Sequence, residues 1–328
     1  MGRSIKSTRV SHHINREDNS AGAESVDLLA LLSTASEKAA TIVNGYYSPY
    51  PWADGTPNRE GLLQATEKDT ADPRTVVSQA DLDSEQIIFS VLRRELNCAL
   101  LSEEAGALPG EPDAEFRIII DSLDGSRNFM QGANGLFGIA IGVERRGRLI
   151  AGAITLPYFG ELLVAERGKG VYLKPLRHVD KRGRPRKIVK PTKMPTALAM
   201  ARINIARGAA ESKALVESPL SRILETANES VNYASSAAAF ASVALGRIDG
   251  LVLPRQRYWD FAAGLVIIEE LGGGFGVWRD GWQRRMAEGE LASATQRSYY
   301  DIVAALNPTL FQDIQQHLEQ PTNGIASL

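Results

Sequence analysis

From Ser25 onward the apolar positions recur at helical spacing: Val26, Leu28, Leu29, Leu31, Leu32, Ala35 and Ala39 fall on one broad face. That pattern predicts an amphipathic helix at which the fold begins. Beyond a Gly/Pro-rich stretch (YYSPYPWADGTPNREG), a second helix is predicted around Ile87, Ile88, Val91, Leu92 and Leu96, with Glu and Arg filling its other face. The period then changes. Residues 98–101 and 116–120 are short apolar runs that end in acidic residues, as expected of buried strands that deliver charges to a sheet edge. Residues 138–143, 149–156 and 162–165 are separated by Arg-Gly and Phe-Gly turns and predict an antiparallel meander. Helices follow around 212–226 and 237–245, then a short apolar run at 251–253 and a strongly apolar helix from Asp260, which Gly272 is placed to stop. Helix and strand mixed throughout predict an α/β (α+β) chain in layers.

Composition removes several function classes. With Lys+Arg 37 against Asp+Glu 39 the net charge is -2, which argues against general attraction to nucleic acid or anionic lipid. An apolar content of 44% with 23% charged residues excludes global disorder. Cys98 is the single cysteine, so no intramolecular disulfide framework or Cys-rich zinc site is expected, which fits a cytoplasmic protein. Residues 1–24 are polar and mixed in charge, without the apolar core of a secretory signal, and read as a disordered tail. No apolar run approaches a membrane span. The basic run 177–190 (RHVDKRGRPRKIVK) is assigned to a solvated surface loop.

The most informative segment is FRIIIDSLDGSRNF at 116–129. Asp121 and Asp124, with the Leu123 carbonyl between them, present several hard oxygen ligands, which suits Mg²⁺. Gly125 lets the chain turn, and a short helix starting near Ser126 offers free N–H groups to an anion. Taken alone, such a turn also serves merely to cap a helix. Two further acidic sites stand beside it. Glu103 and Glu104 follow an apolar strand directly, and Asp260 opens an apolar helix in YWDFAAG, where capping is the plain reading and is compatible with metal binding. The paired Asp residues are three apart rather than the two of a D-x-D phosphatase, and no G-x-x-x-x-G-K-[ST] loop occurs. LGGGFG follows a helix and reads as a C-cap and turn. His12, His13, His178 and His317 are remote from these motifs, which gives no support to zinc-His chemistry or a Ser/His triad.

The ordered set S-E-E (102–104), D-S-L-D-G-S-R-N-F (121–129) and W-D-F-A-A-G (259–264) resembles the inositol monophosphatase family. TVVSQAD (75–81) and GKGVY (168–172) add weaker echoes. The resemblance implies a layered α-β-α-β-α sandwich of the sugar-phosphatase type: one domain over 25–320, with a metal-binding half at 25–190, an α/β half at 191–320 and a tail at 321–328. It implies two or three Mg²⁺ ions per site and hydrolysis of a small phosphate monoester, an inositol phosphate, sugar phosphate or related compound. Asp121 would bridge the ions, with Glu103 and the Leu123 carbonyl on one and Asp124 and Asp260 on another. Gly125 and Ser126 would bind the phosphate, and the Ser126 hydroxyl, oriented by Asp81, would position the attacking water. Glu104, Arg127, Ser236, Arg255 and Arg257 would stand behind the ligands or face the substrate, Arg127 toward either phosphate or solvent.

Three departures bear on the substrate. The usual Pro after the first Asp is Ser122, which loosens the loop; the usual Thr is Ser126, which keeps the hydroxyl; and members that act on inositol carry a Glu where this chain has Leu253. The Pro-Arg-containing LPRQRYWD is similar instead to the nucleotide-bisphosphate branch. Alternatives are therefore a nucleotide 3′(2′),5′-bisphosphate or histidinol-phosphate phosphatase, or a non-catalytic regulatory protein on this fold, such as a partner of the transcription machinery. A small phosphorylated substrate, a homodimer and no membrane or nucleic-acid partner complete the expectation.

Overall fold

The computed structural model describes residues 26–47, 66–67, 76–132, 134–176, 183–206, 219–279 and 281–319. The tail at 1–24, most of the Gly/Pro-rich stretch, residues 177–182 of the basic run, residues 212–218 of a predicted helix and the tail at 321–328 lie outside the described residues. Two long helices open the fold, α1 (Leu28–Tyr46) and α2 (Gln79–Glu95), with a two-stranded ribbon, β1 (Thr66–Glu67) and β2 (Val76–Val77), between them in the chain. Asp27 caps α1 by accepting from the Ala30 N–H at 3.1 Å.

A large sheet follows, built from β3 (Cys98–Ser102), β4 (Ala107–Leu108), β5 (Phe116–Asp124), β6 (Gly138–Arg145), β7 (Arg148–Leu156), β8 (Glu161–Glu166), β9 (Gly170–Pro175) and β10 (Arg186–Ile188). Its spatial order is β10-β9-β8-β7-β6-β5-β3-β4. The expected meander is present, every pair from β5 to β10 being antiparallel, while β3 runs parallel to β5. The basic run is not all loop: Arg186–Ile188 forms the edge strand β10 on β9, because an edge strand needs only one paired side and leaves its basic side chains in water.

The second sheet contains β11 (Arg202–Ile205), β12 (Glu229–Val231), β13 (Gly250–Gln256), β14 (Gly274–Arg279), β15 (Arg284–Arg285) and β16 (Tyr300–Ala305), in the order β12-β11-β13-β16-β14-β15. The chain also forms α3 (Ser126–Met130), α4 (Pro219–Thr226), α5 (Ser236–Ala244), α6 (Tyr258–Glu270) and α7 (Pro308–Glu319). Helices α1 and α2 cover one face of the large sheet, α5 and α6 fill the space between the sheets, and α4 and α7 cover the far face of the second sheet. The result is the five-layer α-β-α-β-α arrangement.

Strand composition follows from these layers. Both faces of the large sheet are buried, so Ile118 and Ile120 enter the core under α1 and α2 while Ile119 enters the core on the α6 side; an unbroken apolar run is what such a strand requires. Helix α6 lies so close to the sheet that a Cβ on Gly152 would fall 2.9 Å from the Ala263 Cα. Small residues on both partners permit this approach. Gly272, at φ +69°, follows the C-cap of α6 as expected.

Candidate active site

The acidic segment is not a loop after a strand; it is the end of the strand. β5 continues through Asp124, and its register against β6 pairs Asp121 with Ala140 and Asp124 with Gly138, so one extra residue is inserted between them. In a regular strand, residues three apart point to opposite faces. The bulge cancels that alternation and lets the two aspartates act on one another. Ser122 lies inside this bulge, 1% exposed, its carbonyl accepting from the Ser84 Oγ of α2 at 2.9 Å. That bond uses the backbone carbonyl, which a Pro at this position would offer equally. Gly125 turns the chain into α3 at φ +80°, where a Cβ would stand 3.0 Å from the Leu136 carbonyl oxygen and 3.1 Å from the Ser235 Cβ.

The other carboxylates arrive from three elements. Asp81 sits at the third position of α2, its Oδ2 accepting from the Ser78 N–H at 2.8 Å and the Ser78 Oγ at 2.6 Å. Glu103 and Glu104 are half-buried beyond β3, where the Glu103 N–H donates to the Ile120 carbonyl at 3.3 Å. Asp260 is the third residue of α6 rather than its N-cap; Arg257 is the cap, and its N–H donates to Asp260 Oδ2 at 2.7 Å.

Electrostatics show that these groups converge. Burial pushes the Asp121 carboxyl well above the usual range, reinforced by Glu103, Asp124, Asp260 and Asp81. Asp124 is raised to about 6, chiefly by burial and against the lowering effect of its hydrogen bonds to Ser235, Ala237 and Ser236. Asp260 is raised well above the usual range by burial, then by Glu103 and Asp124. Of the two neighbouring glutamates, it is Glu103 that acts on all three aspartates.

Ser126 stands beside this cluster. Its Oγ has two acceptors within reach, the Leu123 carbonyl at 2.8 Å and Asp81 Oδ1 at 3.3 Å. Arg127 is exposed on α3. Arg255 is exposed as well, whereas the half-buried Arg257 lays its guanidinium 3.5 Å from the Tyr299 ring centroid. The Ser236 hydroxyl turns to Gln256 Oε1 at 2.5 Å, away from the carboxylates.

Two contributors escape a reading by pattern. Ser235, the N-cap of α5, donates from its Oγ to Asp124 Oδ2, and the Ala237 N–H donates to the same oxygen at 2.8 Å. The Ser-Ser pair before an Ala-rich helix was the available signal, but a cap need not name its far partner. Glu85 is 5% exposed and accepts from the Ala105 N–H at 3.0 Å, steadying the turn that carries Glu103. Glu85 lies on the buried side of α2 with Asp81, four residues earlier, and not on the outer face assigned to the acidic residues of this helix.

Among the described residues no three His, Cys, Asp or Glu side chains are grouped closely enough to enclose an ion as they stand. The donor set nonetheless fits a hard divalent cation. Asp121 and Asp260 each have one oxygen tied to a backbone N–H and the other without a hydrogen-bond partner among the described residues. The strongest charges on Asp121 are all carboxylates. Crowded oxygen ligands, with Arg257 a cationic neighbour of Asp260, suit Mg²⁺ in chemistry and charge.

A model of the inositol monophosphatase family matches residues 26–311. An inositol-1-monophosphatase of Mesorhizobium japonicum is 34% identical over 237 residues, 72% of this chain and 84% of the relative. A protein named Nus factor SuhB from Pasteurella multocida is 27% identical over 299 residues, 88% of this chain and 99% of the relative. In structure, the chain is similar to the extragenic suppressor protein suhB from Bartonella henselae, with a TM-score of 0.70 at 25% identity over 90% of this chain and 99% of that one. It is similar in fold to an inositol monophosphatase from Anabaena, with a TM-score of 0.64 at 22% identity, covering 90% and 96%. With the match running from the first turn of α1 into α7, through every acidic motif of the site, the chain belongs to the inositol monophosphatase family.

Proposed function

We propose that this protein is a Mg²⁺-dependent phosphatase of small phosphate monoesters. The observation that carries the reading is the convergence of Asp121, Asp124, Asp260 and Glu103 around one bulge, with Ser126 and Asp81 alongside. Glu103, Asp121, the Leu123 carbonyl, Asp124 and Asp260 would hold two or three ions. When bound, such ions acidify water and neutralise charge on a phosphoryl group during in-line displacement. The protein's own part is positioning. The Gly125 and Ser126 N–H groups bind the phosphate. With the Leu123 carbonyl among the groups that would hold a cation, Asp81 Oδ1 would be the acceptor for the Ser126 hydroxyl proton, leaving Ser126 Oγ to accept a hydrogen bond from the attacking water and so to orient it. Ser235 and the Ala237 N–H hold Asp124 in place. The unit at work is the domain over 25–320, acting in the cytoplasm as a homodimer.

The test is phosphate release with and without Mg²⁺ over inositol phosphates, sugar phosphates, histidinol phosphate and adenosine 3′,5′-bisphosphate. Mg²⁺-dependent turnover that disappears in Asp121→Asn is expected; turnover that survives the substitution refutes the metal assignment. The relatives named Nus factor SuhB favour a second reading, a regulatory binding role on the same fold. Under that reading Asp121→Asn loses phosphatase activity while its binding to proteins of the transcription machinery stays at the wild-type level.

A further inference from the structure

A cleft of about 590 Å³ carries Arg255, Arg279 and Arg297 in its walls. Among the described residues none of the three forms an ion pair with a carboxylate. Among the described lining residues the acidic one is Asp301, 4% exposed and occupied by backbone donors: Oδ1 accepts from the Arg255 N–H at 2.9 Å and Oδ2 from the Trp282 N–H at 3.2 Å, with the Gly281 N–H a further donor. Among the described lining residues three arginines stand against this one carboxylate, a balance that favours an anion.

The backbone is arranged to aim one of them. Arg255 occupies a β-bulge of β13 and adopts φ +53°, a left-handed conformation that a residue with a Cβ rarely takes, held by the Asp301 hydrogen bond. Arg279 ends β14, where its Nη2 donates to the Tyr300 hydroxyl at 3.1 Å. Tyr299 joins the cleft to the carboxylate centre: the Arg255 guanidinium lies 5.0 Å from its ring centroid, and Arg257 Nη2 donates to its hydroxyl at 2.6 Å. The Arg257 N–H in turn donates to Asp260 Oδ2. Arginine forks fit phosphate and carboxylate oxygens pairwise.

From this arrangement we infer that the cleft receives a second anionic group of the substrate, so the preferred substrate carries a phosphate or carboxylate besides the phosphate that is cleaved. The inference rests on the phosphatase reading above and names its substrate class. Its test uses matched substrates: glycerol 3-phosphate against 3-phosphoglycerate, which adds a carboxylate, and fructose 1-phosphate against fructose 1,6-bisphosphate, which adds a phosphate. The expected result is a kcat/KM at least about tenfold higher for the doubly anionic member of one pair, carried mainly by KM and lost in Arg279→Gln/Arg297→Gln. Which pair responds identifies the group. Equal values within both pairs, or a preference that survives the double substitution in a protein with unchanged circular dichroism, overturn the inference while leaving the phosphatase reading intact. If no ester is turned over, calorimetric titration of inorganic phosphate in EDTA decides the matter without the metal site. Binding weakened at least about tenfold in the double variant supports an anion cleft; absent or unchanged binding overturns it.

Discussion

Neutralising Asp124 should stabilise the protein in the absence of metal. Its carboxyl titrates at about 6 in the folded chain against 3.8 for the free group, so the folded state holds this proton more tightly than the unfolded state. The stability associated with that proton is complete below pH ~3.8 and is lost as the pH rises through about 6. At pH 8 the charge costs about 3 kcal/mol, the free-energy equivalent of that difference. Asp124→Asn removes the charge and lowers the repulsion on Asp121 and Asp260. It keeps an oxygen for the Ser235 hydroxyl and the Ala237 N–H. Weakening these charge-assisted bonds costs about 1 kcal/mol, which leaves a net gain of about 2 kcal/mol. With a urea m-value near 3 kcal/mol/M, the unfolding midpoint in EDTA at pH 8 should rise by about 0.7 M. At pH 4.5 wild-type Asp124 is already protonated and most of the advantage should vanish. Added Mg²⁺ should raise the wild-type midpoint more than that of the variant. A variant that is less stable at pH 8, or one equally favoured at both pH values, refutes the crowded-carboxylate account.

Other substitutions probe separate links. Asp121→Asn should reduce phosphate release to background while the urea midpoint in EDTA stays level or rises, since it removes a buried carboxylate repelled by Glu103, Asp124, Asp260 and Asp81. Ser235→Ala should raise the Mg²⁺ concentration for half-maximal activity by about tenfold and cost about 1 kcal/mol through loss of the α5 cap; an unchanged Mg²⁺ titration removes Ser235 from the site. Tyr258→Phe should cost about 2 kcal/mol in urea unfolding, because the phenol donates at 2.6 Å to the 1% exposed Glu144. Gly264→Ala should destabilise by about 1–3 kcal/mol despite the better helix former, since the new Cβ would fall 2.3 Å from the Phe240 ring; a more stable variant means that α5 and α6 are less tightly packed than described.

Much of the fold was legible because periodicity and turn chemistry are local. The helical face from Leu28 to Ala39 is buried with Leu29 half-exposed, although Val26, predicted on the same face, precedes the helix and is exposed; the meander strands β6 to β8 fall where apolar runs and Arg-Gly and Phe-Gly turns predict them, and Gly272 follows α6. Limits appeared where partners decide. A basic run reads as loop until β9 offers it an edge. Acidic residues on a helix read as solvated until Glu85 is found accepting from the turn beyond β3. Position in α6 also changed: Asp260 has a helix-opening role at the third residue, reached through the Arg257 N–H.

By itself the sequence determined most of the elements from α1 to β8 and the apolar helix α6, the acidic motifs in order and the hard-oxygen chemistry they offer, because each depends on residues within a turn or a strand of one another. Strands β11, β12, β14 and β16 and helix α7 are not among them, and the GFG of LGGGFG begins β14 rather than continuing a turn. Tertiary structure alone decided which oxygens meet. A one-residue bulge returns Asp124 to the side of Asp121, Ser235 reaches Asp124 from 111 residues away, and Asp301 turns to the backbone of Arg255, leaving three arginines facing one cleft. Strand register and long-range hydrogen bonds are properties of the packed chain, where burial strengthens charge interactions that an extended chain in water would screen.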